Sequence, residues 1–151
     1  MARYALGLQK ATITVAGAVF DVATAATDRA RILEIGIFAS AATGTTPVLT
    51  LGLFRSTAVG TRTTPTSLLP EDAADGTATT TSATAWSVAP TLAATPLRRF
   101  AMSTLGSGII WTWPTAGGLS IPVSGSLVVN AITVAGTTPS FTVDGYVIVD
   151  E

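Results

Sequence analysis

From Arg31 to Ala39 the chain alternates with a period of two. Leu33, Ile35, Ile37 and Ala39 fall on one side of an extended backbone, and Ile32, Glu34, Gly36 and Phe38 on the other. That period marks a strand, because successive side chains of an extended backbone project to opposite faces. The alternation returns in shorter runs: Tyr4, Leu6 and Leu8 near the N-terminus, Ile13 and Val15 in residues 11–15, and Leu49, Leu51 and Leu53 in residues 48–55. Residues 18–22, 97–102, 108–113, 119–123, 126–134 and 141–149 complete the series. No stretch holds a helical period for long, and turn residues recur between the runs. The pattern predicts an all-β fold, a single-domain jelly-roll-like β-sandwich of about eight to ten short antiparallel strands. The 151 residues suit one domain. Residues 1–10 alternate without a turn signal and read as an extended N-terminal arm ahead of a sandwich domain of residues 11–151.

Turn chemistry sets the expected connections. Residues 42–47, Ala-Thr-Gly-Thr-Thr-Pro, read as a turn joining residues 31–39 and 48–55 into a hairpin. The octet from Gly44 to Leu51 is echoed from Gly136 to Val143. The echo has two readings, a turn chemistry used twice or two similar hairpins in two halves of one sandwich. Pro122 marks residues 119–123 as an edge or a bulge. The Gly-Ser-Gly at 106–108, Gly117-Gly118 and Ser124-Gly125-Ser126 read as further turns, with no following helix to cradle a phosphate. Residues 56–96 are Thr/Ala-rich and poor in large apolar side chains. A structureless loop of that length is improbable in a compact domain, so at least one strand is expected there, near residues 77–88 with Trp86 packed.

Composition narrows the chemistry. The chain has neither cysteine nor histidine, which removes disulfides, thiolate metal sites, cysteine nucleophiles and every Ser-His-Asp triad. The reading is a protein that is not an enzyme. Charged residues make up 11% of the chain, against about 25% in an average domain. One lysine and seven scattered arginines form no basic stripe, so no nucleic acid partner is expected. No apolar run is long enough to cross a membrane, and residues 1–10 lack the apolar core of a signal peptide. Thr and Ala, 27 and 25 residues, supply over a third of the chain. A surface so poor in charge has weak electrostatic protection against association, and the simplest account is that copies of the chain or a partner cover much of it.

The candidate interaction residues follow from these patterns. Tyr4, Leu6 and Leu8 line one face of the arm, which could add a strand to a neighbour. Trp111 and Trp113, two apart, share a face with Ile109. Exposed they would stack on sugar rings; buried they anchor a core or interface, and Ile109 favours burial. Arg98 and Arg99 point to opposite faces of a strand, where an arginine either pairs with a partner carboxylate or is solvated at an edge. Glu71, Asp72 and Asp75 offer loop carboxylates, but their spacing fits no EF-hand and one loop does not supply the opposing walls of a glycosidase. No catalytic, cofactor or metal residues are assigned.

Four stretches together resemble tailed-bacteriophage capsid decoration (cement) proteins: Arg31-Ile32-Leu33-Glu34-Ile35; Leu69-Pro70-Glu71-Asp72-Ala73-Ala74; Trp113-Pro114 leading to Gly118-Leu119-Ser120-Ile121-Pro122; and a terminal strand ending in Glu151. The resemblance is structural and transfers no catalytic residue. It implies a virion protein on the outer surface of the head, bound to the major capsid protein and often trimeric at local threefold axes. The alternative is a tail-fibre or lectin-like carbohydrate-binding module, with Trp111 and Trp113 as its platform.

Overall fold

The computed structural model describes residues 2–103, 107–114 and 116–151. Parts of three expected features, position 1 of the arm, position 106 of one turn and position 115 in the turn after Trp113, lie outside the described residues. The rest forms thirteen strands and no helix. They are β1 (Arg3–Ile13), β2 (Gly17–Ala23), β3 (Ala30–Ala58), β4 (Thr61–Arg62), β5 (Thr66–Ser67), β6 (Leu69–Pro70), β7 (Thr81–Ser82), β8 (Trp86–Val88), β9 (Thr91–Leu92), β10 (Arg98–Met102), β11 (Gly108–Thr112), β12 (Leu119–Ile121) and β13 (Ser126–Asp150).

Two long strands organise the molecule. β3 and β13 run antiparallel along their whole lengths, from Arg31 opposite Asp150 to Arg55 opposite Leu127. The first half of β3 and the second half of β13 carry β11 and β12 on one side and β1, with β6 beyond it, on the other. The remaining halves carry β10 on one side and β2, β7 and β5 on the other. Inward residues of both halves, Ile35, Ile37, Val143 and Val147 from one and Leu49, Leu51, Leu53 and Val129 from the other, belong to one buried core. With no helix to cover either sheet, the two halves bury each other. The all-β sandwich expected from the sequence is formed, closed nearly into a barrel.

The middle of the long ribbon corrects the expected hairpins. Residues 31–39 and 48–55 are parts of one strand, and so are 126–134 and 141–149. The two Gly-Thr-Thr-Pro copies are not turns; they face each other, with Thr45 opposite Thr137. Gly44 (φ 101°) and Gly136 (φ 117°) have left-handed backbones, as do Thr46 (48°) and Thr138 (49°). A Cβ on Gly44 would lie 2.6 Å from Thr137 O, and one on Gly136 would lie 2.8 Å from Thr45 O. The crossing therefore has local twofold pseudosymmetry, and each glycine lets the other strand's carbonyls come close. Both strands bulge here, so the ribbon passes from one layer to the other without either strand ending.

Two further expectations change. The N-terminal arm is extended, but it pairs as β1 with the chain's own last strand, from Arg3 opposite Asp150 to Ile13 opposite Phe141. Tyr4 and Ile13 are in the core, which is why the first ten residues do not stand apart from residues 11–151. Within β3, a bulge at Leu33 turns Ile32 inward beside Ile35, breaking the strict alternation. Residues 56–96 hold six strands of two or three residues, and two of them, β7 and β8, lie within the expected 77–88. They are anchored by the buried Leu68 and Ala78 more than by long ladders.

Candidate functional surface

The residues singled out from the sequence separate into interior and surface. Tyr4, Leu6 and Leu8 point inward from β1; Tyr4 is buried and the two leucines pack half-buried against the core. Trp111 is 8% exposed, and Trp113 is half-buried beside Ile109 on the same face. The tryptophan pair is therefore an interior anchor, and the sugar platform it would have formed is closed. Arg98 and Arg99 are both exposed on β10, which among the described residues pairs with β3 alone and so forms an edge. Neither reaches a carboxylate among the described residues, and Arg98 Nη1 donates to the carbonyl of Leu97 at 3.2 Å. Charge on an edge strand blocks uncontrolled pairing with other sheets.

The loop carboxylates Glu71, Asp72 and Asp75 line a shallow, open depression of about 440 Å³ with Arg3 and Asp150. Arg3 Nε is 3.2 Å from Asp150 Oδ1, so one cation already sits among these acids. The described residues contain no cluster of three or more acids arranged to hold a metal ion. Beside it, Glu151 accepts hydrogen bonds from the backbone N–H groups of Thr79 and Thr80 and from the Thr79 hydroxyl. Burial opposes its charge, but these bonds outweigh burial and hold its carboxyl below the usual range. Burial, together with the charges of Asp75 and Glu151, raises the nearby Tyr4 phenol.

Two features escaped the sequence reading. The first is the outer face of the β11–β3–β13–β1 sheet. Register sets three rows across it: Gly108, Phe38, Asp144 and Gln9; Ile110, Gly36, Tyr146 and Gly7; Thr112, Glu34, Ile148 and Ala5. The glycines let the rings lie flat. A Cβ on Gly36 would fall inside the Tyr146 ring, and one on Gly108 would meet Phe38. The two rings stack with centroids 6.4 Å apart. Phe38 and Ile110 are 36% and 48% exposed. Tyr146 donates its hydroxyl hydrogen to Glu34 Oε1, and this bond, with burial and the Glu34 charge behind it, pushes the phenol up to about 12. Gln9 Nε2 donates to Asp144 Oδ1 at 2.7 Å, and this bond holds that carboxyl below its ordinary value. The signal available in the sequence was the polar face of residues 31–39, which carries Ile32, Gly36 and Phe38 where a solvated face would carry polar groups.

The second is Asp21, 0% exposed on β2 in the apolar run Val19-Phe20-Asp21-Val22. Its Oδ1 accepts from the Ala83 N–H at 2.9 Å and lies 3.5 Å from Arg62 Nη1, while Ser82 donates its hydroxyl to the Asp21 carbonyl. Arg62 also donates to Thr81 Oγ1 at 2.8 Å. Asp21 Oδ2 and the Trp86 indole Nε1 are buried with no partner at hydrogen-bond distance among the described residues, though the indole is near enough to act on the carboxyl. Burial pushes the Asp21 carboxyl up to about 6, against the lowering pull of Arg62, the Ala83 N–H and the nearby Trp86 indole. An acid inside an apolar strand run was the legible sign of this network. Arg62, 41 residues away, gave no local sign of being its partner.

No protein-family model, curated protein or solved structure matches the chain.

Proposed function

We propose that the protein is a structural virion component that decorates the outer surface of a tailed-phage head, binding the major capsid protein and further copies of itself. The observation that carries this reading is the flat face of Phe38, Ile110, Tyr146 and Ile148. An antiparallel sheet facing water ordinarily turns polar side chains outward. Here the centre of the face is aromatic and aliphatic, glycines keep it level, and its two carboxylates are engaged by Tyr146 and Gln9. Such a face fits a flat protein surface better than a small molecule, which seeks a concave site. Repeated across a lattice, modest contacts of this kind add up to firm attachment. The low charge of the chain agrees with a surface covered by protein, and the resemblance in residues 31–35 and 69–74 points the same way. The resemblance also implies a trimer.

The test is cosedimentation of the purified protein with assembled tailed-phage heads and, separately, with the unassembled major capsid subunit, alongside its mass by light scattering. Wild type is expected to bind the heads and leave the free subunits. The double variant Phe38→Asp, Ile110→Asp is expected to stay folded and lose binding by more than tenfold, since an unpaired charge would be desolvated at the contact. Retained binding by that variant, or a monomer that binds no head, overturns the reading.

A further inference from the structure

β4 and β8 form a two-stranded ribbon outside the main sheet, Thr61 opposite Val88 and Arg62 opposite Trp86. A backbone bond from the Asp21 N–H to the Ala83 carbonyl, at 3.0 Å, ties its approach to β2, and the side-chain part of the fastening centres on one carboxylate. Asp21 meets Arg62 from β4 and the Ala83 N–H from the segment just before β8, and the Trp86 indole of β8 leans toward it. Charged groups nearby are few. Arg62 faces Asp21 from β4, and Lys10 reaches over from β1 to the Thr84 carbonyl, 2.6 Å from its Nζ. Ser82 of β7 contributes a hydroxyl to the Asp21 backbone and Thr81 binds Arg62, both neutral.

Seating the ribbon removes this carboxylate from water and leaves its Oδ2 with no partner at hydrogen-bond distance, only the Trp86 indole N–H somewhat farther off. One backbone N–H bond at 2.9 Å and one ion-pair contact at 3.5 Å to a partly solvated guanidinium, both to Oδ1, are a poor return for that desolvation. Lifting the ribbon would return both charges to water. A neutral Asp21 carries a much smaller desolvation cost. We propose that Asp21 makes the β4–β8 ribbon a proton-tightened clasp, seated more firmly on β2 as the pH falls through the mildly acidic range.

The sign is opposite to the one an ion-pair latch would give. The seated carboxyl titrates near 6, above the 3.8 of a free aspartate, so the seated form binds the proton more tightly and protonation favours seating. If release returns Asp21 to its free value, the seating equilibrium strengthens about twentyfold between pH 7.5 and pH 4.5, with no further change above pH 7.

Hydrogen exchange on the full-length protein, read by mass spectrometry over residues 61–67 and 83–88 and corrected for intrinsic rates, tests this. Wild type is expected to gain about twentyfold protection in these segments from pH 7.5 to pH 4.5. Asp21→Asn, which keeps the acceptor for Ala83 and cannot titrate, is expected to show the same protection at both. Flat protection in wild type, protection that falls in acid, or an equal gain in Asp21→Asn overturns the proposal. Should Asp21→Asn fail to fold, Arg62→Gln decides. Losing the guanidinium charge must move the midpoint to higher pH, and an unmoved midpoint refutes the clasp.

Discussion

The crossing of the two Gly-Thr-Thr-Pro segments makes the sharpest demand on single residues. Gly44→Ala would place a methyl 2.6 Å from Thr137 O and 2.8 Å from Thr138 O, on a residue whose φ is 101°. Both obstacles are backbone, so no rotamer change relieves them. The left-handed conformation alone costs an alanine about 1–2 kcal/mol. Moving the strands apart weakens one or two ladder hydrogen bonds, at about 1 kcal/mol each. The sum is about 2–4 kcal/mol for Gly44→Ala. Gly136→Ala should cost about the same, because its Cβ would meet Thr45 O at 2.8 Å and Thr46 O at 2.9 Å across the pseudodyad. Since both substitutions demand the same separation of strands, the double variant should cost less than the sum, by about 1–2 kcal/mol. Urea unfolding followed by tryptophan fluorescence gives the three values from midpoints at unchanged slope. Gly7→Ala and Gly76→Ala serve as controls, as a Cβ at either meets nothing within 4 Å. Single losses below about 1 kcal/mol, or strict additivity, would refute the argument that the two glycines serve one crossing.

Deleting residues 1–10 removes Tyr4, Leu6 and Leu8 from the core and bares the edge of β13, so the product should be unfolded or aggregated; circular dichroism and gel filtration decide, and a folded monomer would show that β1 is dispensable. Glu34→Gln should lower the Tyr146 titration from about 12 toward the ordinary phenol value, read by absorbance near 295 nm with Tyr146→Phe as the blank. Because the folded value is the raised one, the stability this phenol contributes is complete below pH 10 and is lost as the pH climbs toward 12; Glu34→Gln should shrink that alkaline loss, and an unchanged titration would mean that the Tyr146–Glu34 bond does not form in solution.

Local signals carried the fold as far as local physics reaches. The inward set Ile35, Ile37 and Ala39 was legible because one buried face imposes a period of two on the sequence, and Trp111 with Trp113 because Ile109 shares their face. Where the reading failed, the deciding partner lay far along the chain. Gly-Thr-Thr-Pro has the composition of a turn, and alone it would make one. It continues a strand here because a second copy, 92 residues on, lies opposite it in antiparallel register and fills the space each glycine leaves. The repeat was visible, but two copies of one turn and two halves of one crossing are the same string of letters. The arm was misplaced for a similar reason. Tyr4, Leu6 and Leu8 read as a face in search of a partner, and their register with residues 145–149 is a property of the folded pair.

The candidate site shows the same limit in a sharper form. Glu71, Asp72 and Asp75 drew notice because they are adjacent, yet adjacency in a loop leaves them exposed with an arginine among them. Asp21 and Arg62 are each isolated in sequence, and the fold makes theirs the more consequential pair by burying the acid completely. In a chain this poor in charge, the informative ionisable group is the one that breaks an apolar run, because a strand with both faces covered takes up a carboxylate only where the surrounding structure supplies its partners. The outer face of Phe38 and Tyr146 follows the converse rule. A strand side that a solvated sheet would make polar is aromatic and aliphatic here, and Ile110 and Phe38 stay 48% and 36% exposed on it. Asp21 and the bare face lie along different halves of the long β3–β13 ribbon, so a charge placed at Ile110 should leave the acid-dependent protection of residues 61–67 unchanged.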